Sequence, residues 1–242
     1  MNPKLQNCIN LYMKGIRDGH AREAVTEYTG ARYTQHSTGV KDGKEGFIEF
    51  FEPFLKRCKD RDIQVIRSIM DETEGKAFLH AYQDINKGDA KWVTTDFFDF
   101  DDNDKVIEHW DVIAAFQEDG DKSSIHGPSE IKDLENTASN KQIVRNLIEQ
   151  TWMKQNDVKP TVDTAGCIDH SFQERVASLY YKRIVLLLGQ GNFVATLCET
   201  VDNKDNQNYA QVDVFRLEND QIVEHWDNFE PVPENDVNGG KF

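Results

Sequence analysis

Basic residues are in short supply: 28 Lys and Arg stand against 43 Asp and Glu, a formal charge of −15. Both halves of the chain share the deficit, so neither offers the cationic face that a phosphate backbone requires, which argues against a nucleic-acid partner. Cysteine is also sparse. Cys8, Cys58, Cys167 and Cys198 are too far apart to make a Cys-x-x-Cys pair, so the compact zinc and dithiol signatures are missing and free thiols are expected. No apolar run reaches membrane-spanning length, and no membrane partner is expected. Residues 1–20 spread Lys4, Lys14, Arg17 and Asp18 through an amphipathic pattern with no apolar signal core, which gives the expectation of a cytoplasmic protein.

With only 7 His and 4 Trp in 242 residues, a repeated His-Trp motif is informative. Glu-His-Trp-Asp occurs at Glu108–Asp111 and again at Glu224–Asp227, each time after an apolar pair, Val106-Ile107 and Ile222-Val223. Other matches precede it in the same order: Tyr12-Met13-Lys14 and Trp152-Met153-Lys154, His36-Ser37 and His170-Ser171, then Asp96 to Phe98 and Asp213 to Phe215. An ordered series of this kind predicts two copies of one domain, residues 1–117 and 139–242, joined by a Gly-, Ser- and Asp-bearing linker at 118–138. The second copy is shorter between its anchors.

In the first copy Leu5, Cys8, Ile9, Tyr12, Met13 and Ile16 fall at helical spacing, with Gly19 as a stop. Ala21–Tyr28 predicts a second helix. A third follows the Asp42-Gly43 turn and carries Phe47, Phe50, Phe51, Phe54 and Leu55 on one face, with Pro53 as a site for a kink. Strand patterns follow at 63–70, 77–85, 92–100 and 105–116, separated by Asn86-Lys87-Gly88-Asp89 and Asp101-Asp102-Asn103-Asp104. Helices followed by an antiparallel sheet make an α+β fold. In the second copy, 142–153 predicts a helix, 172–188 a long helix, and 192–201, 207–217 and 221–229 strands. The loop, half-helix and first strand of residues 38–70 have no evident counterpart.

Tyr33 to Phe47, Asp96 to Phe100 and Lys105 to Ile113 resemble the pocket-forming segments of SnoaL-like proteins of the nuclear transport factor two-like superfamily. The resemblance covers nearly all of the first copy. In the second it covers the first helix and the last two strands. It implies two cone-shaped domains, each a curved antiparallel sheet closed by about three helices. It further implies that the copies pair as an intramolecular pseudo-dimer, with a small hydrophobic molecule as partner. Family activities include aldol cyclisation, epoxide hydrolysis and ketosteroid isomerisation, so the fold limits function only weakly.

Asp111 resembles the acid/base Asp that such cyclases carry on a late strand. In an apolar cavity its pKa would rise, suiting proton exchange with a carbon acid. The alternative is a structural carboxylate holding a neighbouring N–H. His109 shares a strand face with Asp111, since side chains alternate, and Trp110 takes the other; the sequence leaves open which face meets the cavity. His36 joins Asp111 and His109 as a candidate catalytic residue. Tyr33, His80, Asp96, Trp92 and Phe51 are the expected ligand contacts. A metal site of His36, His80, His109 and Asp111 lacks compact ligand spacing and is set aside, and no cofactor is expected. Gly189-Gln190-Gly191 lacks the third Gly of a dinucleotide loop, and Asp101–Asp104 lacks the distal Glu of an EF-hand.

Overall fold

A computed structural model describes residues 1–154, 166–171, 179–202, 204 and 206–242. Contacts divide the chain into two compact units, Met1–Phe116 together with Pro233–Phe242, and Gln117–Val232. The last ten residues, expected in the second domain, thus belong to the first unit, and the segment expected to be a linker groups with the second.

The first unit opens with α1 (Pro3–Tyr12), capped by the Asn2 side chain on the Lys4 N–H, a good N-terminus with proline in its first turn. A π-helical turn at Met13–Arg17 follows. Then come α2 (Ala21–Tyr28), β1 (Thr29–Gln35), α3 (Gly43–Arg57) and four long strands, β2 (Arg61–Asp71), β3 (Lys76–Ile85), β4 (Ala90–Phe100) and β5 (Val106–Ala115). Pro53 lies within α3 without ending it. The sheet order is β1-β5-β4-β3-β2. Strands β2 to β5 form an antiparallel meander, and its β3–β4 turn needs the positive φ angles that Asn86, Lys87 and Gly88 adopt. β1, for which no strand pattern is evident in the sequence, runs parallel to β5, with Gln35 beside His109.

The apolar stripes predicted for α1 and α3 lie on one face of this sheet. Leu5, Cys8, Leu11, Tyr12 and Ile16 pack with Phe47, Ile48, Leu79 and Phe98 in a single core. Burying these stripes is the dominant favourable term in holding the helices on the sheet.

The second unit repeats the plan in its described residues. Two short strands, β6 (Glu118–Asp119) and β7 (Lys122–Ser123), pair with each other; α4 (Thr137–Leu147) again runs into a π-helical turn, at Ile148–Trp152. A sheet of β8 (Ile168–Asp169), β9 (Leu179–Gln190), β10 (Phe193–Asp202), β11 (Asn208–Glu218) and β12 (Gln221–Pro231) has the order β8-β12-β11-β10-β9. β8 lies parallel to β12 with Asp169 beside His225, the register of Gln35 and His109 in the first sheet.

Two expectations fail here. Residues 179–188 are strand, not helix: β9 pairs with β10 along its length, and its Tyr, Ile and Val content suits a sheet. The remainder of that expected helix, 172–178, lies outside the described residues. The first strand is therefore not missing from the second copy. The shortening falls between β8 and β9, joined by residues 170–178 where residues 36–60 join β1 to β2. Against about three helices expected for each sheet, the described residues of the second unit contain one α-helix, α4.

Candidate functional site

The first unit contains a cavity of about 200 Å³, smaller than the roughly 300–1,000 Å³ of sites for drug-sized ligands. Its apolar wall comes from α1 (Leu11) and the π-helical turn after it (Ile16), from α3 (Phe47, Phe51, Phe54) and from Trp92 and Phe98 on β4. Phe50 and Ile113, 44% and 40% exposed, are lining residues that also reach solvent, so they mark the mouth. Polar groups gather on β1, β5 and the loop after β1: Tyr33, Gln35, Ser37, Thr38, His109 and Asp111.

Strand alternation sets this arrangement. His109, Asp111 and Ile113 face the cavity, whereas Trp110 faces the other way and stacks in parallel on His36 at 5.0 Å. Of the residues singled out from sequence, Asp111, His109, Tyr33, Trp92 and Phe51 line the cavity. His36 does not; its Nε2 lies 3.0 Å from Glu108 Oε1 and its Nδ1 2.8 Å from the Gly240 carbonyl. His80 is buried on the opposite sheet face from Leu79 and bonds Arg67. Asp96 is fully buried behind His109.

His109 is held at both nitrogens. Nδ1 lies 2.8 Å from Gln35 Oε1 and Nε2 lies 2.9 Å from Asp96 Oδ1. An amide oxygen only accepts, so Nδ1 carries a proton and neither nitrogen is left for a ligand. Asp96 Oδ1 also accepts from the Tyr12 hydroxyl at 2.6 Å, while Oδ2 has no partner among the described residues. Burial, the largest influence, pushes the Asp96 carboxyl up, and the nearby Asp111 adds to it against the pull of His109 and Tyr12.

Asp111 behaves in the opposite way to the sequence expectation. Burial again acts to raise it, but the Lys241 ammonium, then His109 and the Ser37 hydroxyl, outweigh burial and hold it below the ordinary Asp value. Ser37 Oγ donates to Asp111 Oδ2 at 2.6 Å, and Lys241 Nζ donates to Oδ1 at 3.2 Å. The raised carboxyl of the site is thus Asp96. Tyr33 receives a bond from Gln35 Nε2 at 3.1 Å, and its own proton meets no acceptor among the described residues. Burial, with Asp111 next, pushes that phenol well up, so it stays protonated. Asp96, His109 and Asp111 each place one donor atom within 4.8 Å of the others, but both His109 nitrogens and both Asp111 oxygens already have protein partners, so the cluster is held by its own hydrogen bonds and ion pair.

Sequence reading missed Lys241, Ser37, Gln35 and Tyr12. Ser37 had a signal, since His-Ser repeats at His170-Ser171. Lys241 had none, because nothing in Gly239-Gly240-Lys241-Phe242 points to a site 130 positions away.

The second unit reproduces much of the buried network. Tyr181 donates to Asp213 at 2.9 Å; His225 Nε2 lies 3.0 Å from Asp213 and Nδ1 3.1 Å from Asp169. His170 stacks on Trp226 at 5.2 Å and lies 3.0 Å from Glu224, as His36 does on Trp110 and Glu108. A His–Asp–Tyr cluster present in both units is therefore part of how this sheet is built. In the first unit the cluster borders the cavity, and Asp111 there meets Lys241. Among the described residues no helix is long and apolar enough to cross a membrane.

No protein-family model matches the chain, and comparison with curated proteins finds no match.

Proposed function

We propose that the first unit is a SnoaL-like small-molecule site that acts on a small, largely apolar carbonyl compound by proton transfer at the carbon next to the carbonyl. The observation that carries this reading is the pairing, on the polar side of one largely apolar cavity, of a carboxylate held ionised with a phenol held protonated, Asp111 and Tyr33. The carbonyl oxygen accepts from Tyr33, and Asp111 takes the α-proton. The electron pair left by that C–H bond moves onto the oxygen, where the phenol stabilises the enolate. Reprotonation at carbon completes an isomerisation, and attack on a second carbonyl completes an aldol-type closure. On the same reading each sheet curves into a cone, and the two units pair as the family's dimers do.

The test is α-proton exchange of small ketones in D₂O, followed by proton NMR, with Trp92 fluorescence reporting binding. Exchange above the buffer rate that is lost in Asp111→Asn, with binding retained, supports catalysis. Ile113→Trp, at the mouth, should abolish binding. A second reading, binding without turnover, is favoured by the occupation of both Asp111 oxygens and both His109 nitrogens; retained binding with no exchange for any ketone would establish it. Absence of any binding would end both readings.

A further inference from the structure

Asp96 and Asp111 are direct cross-strand partners in the β4–β5 register, and both are buried. Like charges in that position oppose each other at a Cβ separation of about 5 Å. Each therefore needs its own compensation. Asp96 has His109 at 2.9 Å and the Tyr12 hydroxyl at 2.6 Å. The hydroxyl on Asp111 from Ser37 is neutral. The cation in direct contact with Asp111 is Lys241, which comes from the segment 233–242 that follows the second unit in sequence.

That segment is fastened to the loop after β1. Asn238 Nδ2 donates to the Ser37 carbonyl at 2.8 Å, the Gly39 N–H to Asp236 at 3.1 Å, and His36 Nδ1 meets the Gly240 carbonyl at 2.8 Å. These contacts seat Lys241 at 2% exposure, with Nζ also 3.2 Å from Thr38 Oγ1 on the cavity wall. A lysine this buried is costly without a counter-charge, so its ion pair is the reason it is stable there.

We propose that Lys241 is a positioning residue of the first unit's site: its ammonium is the counter-charge that lets Asp111 face Asp96 and that aims the Asp111 carboxylate beside the cavity. This rests on the reading of the cavity as a ligand site. The groups acting on Asp111 are His109 on its own strand, Asp96 on β4, Tyr12 on α1, Tyr33 on β1, Ser37 in the following loop, and Lys241.

The experiment is a carboxyl-carbon NMR titration of the full chain labelled at aspartate, with Asp111→Asn assigning the resonance. Wild-type Asp111 should titrate below the ordinary value of about 3.9. Lys241→Met should move that midpoint upward, and Lys241→Arg should return it toward wild type. A wild-type midpoint at or above the ordinary value overturns the proposal without any lysine variant, and so does an unchanged midpoint in Lys241→Met. Failure of ketones to bind or exchange would remove the function proposed above and leave this titration standing; failure of the titration would leave ketone binding standing.

Discussion

Replacing Tyr12 with Phe removes one oxygen from the first unit and almost nothing else. The ring stays packed among Leu11, Ile16 and Phe98 in the core. What is lost is the 2.6 Å bond to Asp96 Oδ1 and a longer 3.4 Å contact with Thr94 Oγ1. A hydrogen bond to a charged, buried acceptor contributes about 1.5–3 kcal/mol. The loss falls within that range, since Oδ2 has no partner among the described residues to take up the charge. With a urea m-value of about 2 kcal/mol/M, a loss of about 2 kcal/mol lowers the unfolding midpoint by about 1 M. The loss should also depend on pH. The Tyr12 bond favours ionised Asp96 and pulls its pKa down against burial, so removing it raises the folded-state pKa further above the unfolded value. The penalty is then complete above the folded-state pKa values of wild type and variant and shrinks as pH falls toward about 3.9, where the carboxyl is protonated in both. The assay is urea unfolding of wild type and Tyr12→Phe at pH 7 and pH 4. A midpoint change under about 0.3 M at pH 7, or a larger change at pH 4 than at pH 7, would refute the assignment of Asp96 as a charged acceptor; both thresholds follow from the same m-value.

Gly46→Ala should cost more than about 2 kcal/mol in thermal or urea unfolding, because its Cβ would overlap the Lys41 backbone carbonyl, which cannot give way as a flexible side chain does. The Cys167 thiol is pushed up to about 11 by burial first and by Asp169 and Glu224 next, so iodoacetamide labelling of that site should be slow at neutral pH and accelerate toward pH 11, as followed by peptide mass spectrometry. Trp110→Ala should release His36 from its stacked position and loosen the segment 233–242 through the lost seat of His36 under Gly240, seen as faster amide exchange at Gly39.

The repeat was the most legible feature because it rests on residues too rare to recur by chance, and the structure places both Glu-His-Trp-Asp copies on the same strand of equivalent sheets. The strands after residue 60 were legible because each is bounded by a turn whose chemistry is local. β9 was not. Its run Leu179–Gln190 is apolar enough to suit a buried helix or a buried strand, and only its partner β10 decides between them. The site was legible where it lies on regular strands, as Asp111, His109 and Trp92 do, and obscure where it depends on distant chain. Tyr12 and Tyr181 make the same point: each donates its hydroxyl to the equivalent Asp, one from a helix and the other from a strand. In the sequence alignment of the copies Trp152 stands where Tyr12 does, so no residue comparison reveals that the hydroxyl has been supplied from elsewhere.

The dependence of the first unit on residues 233–242 also has a consequence in time. A ribosome adds about 5–20 residues per second, and early units fold while later ones are still being made. The first sheet is complete once residue 115 has emerged, yet Lys241 follows only after the whole second unit has been synthesised. For about ten seconds at those rates the nascent first unit holds two facing carboxyls with no ammonium between them and the loop after β1. Synthesis of residues 233–242 then brings the Lys241 ammonium to Asp111. Assembly of the pocket is therefore coupled to synthesis of residues 233–242, and a product truncated before them would lack the ammonium that pairs with Asp111.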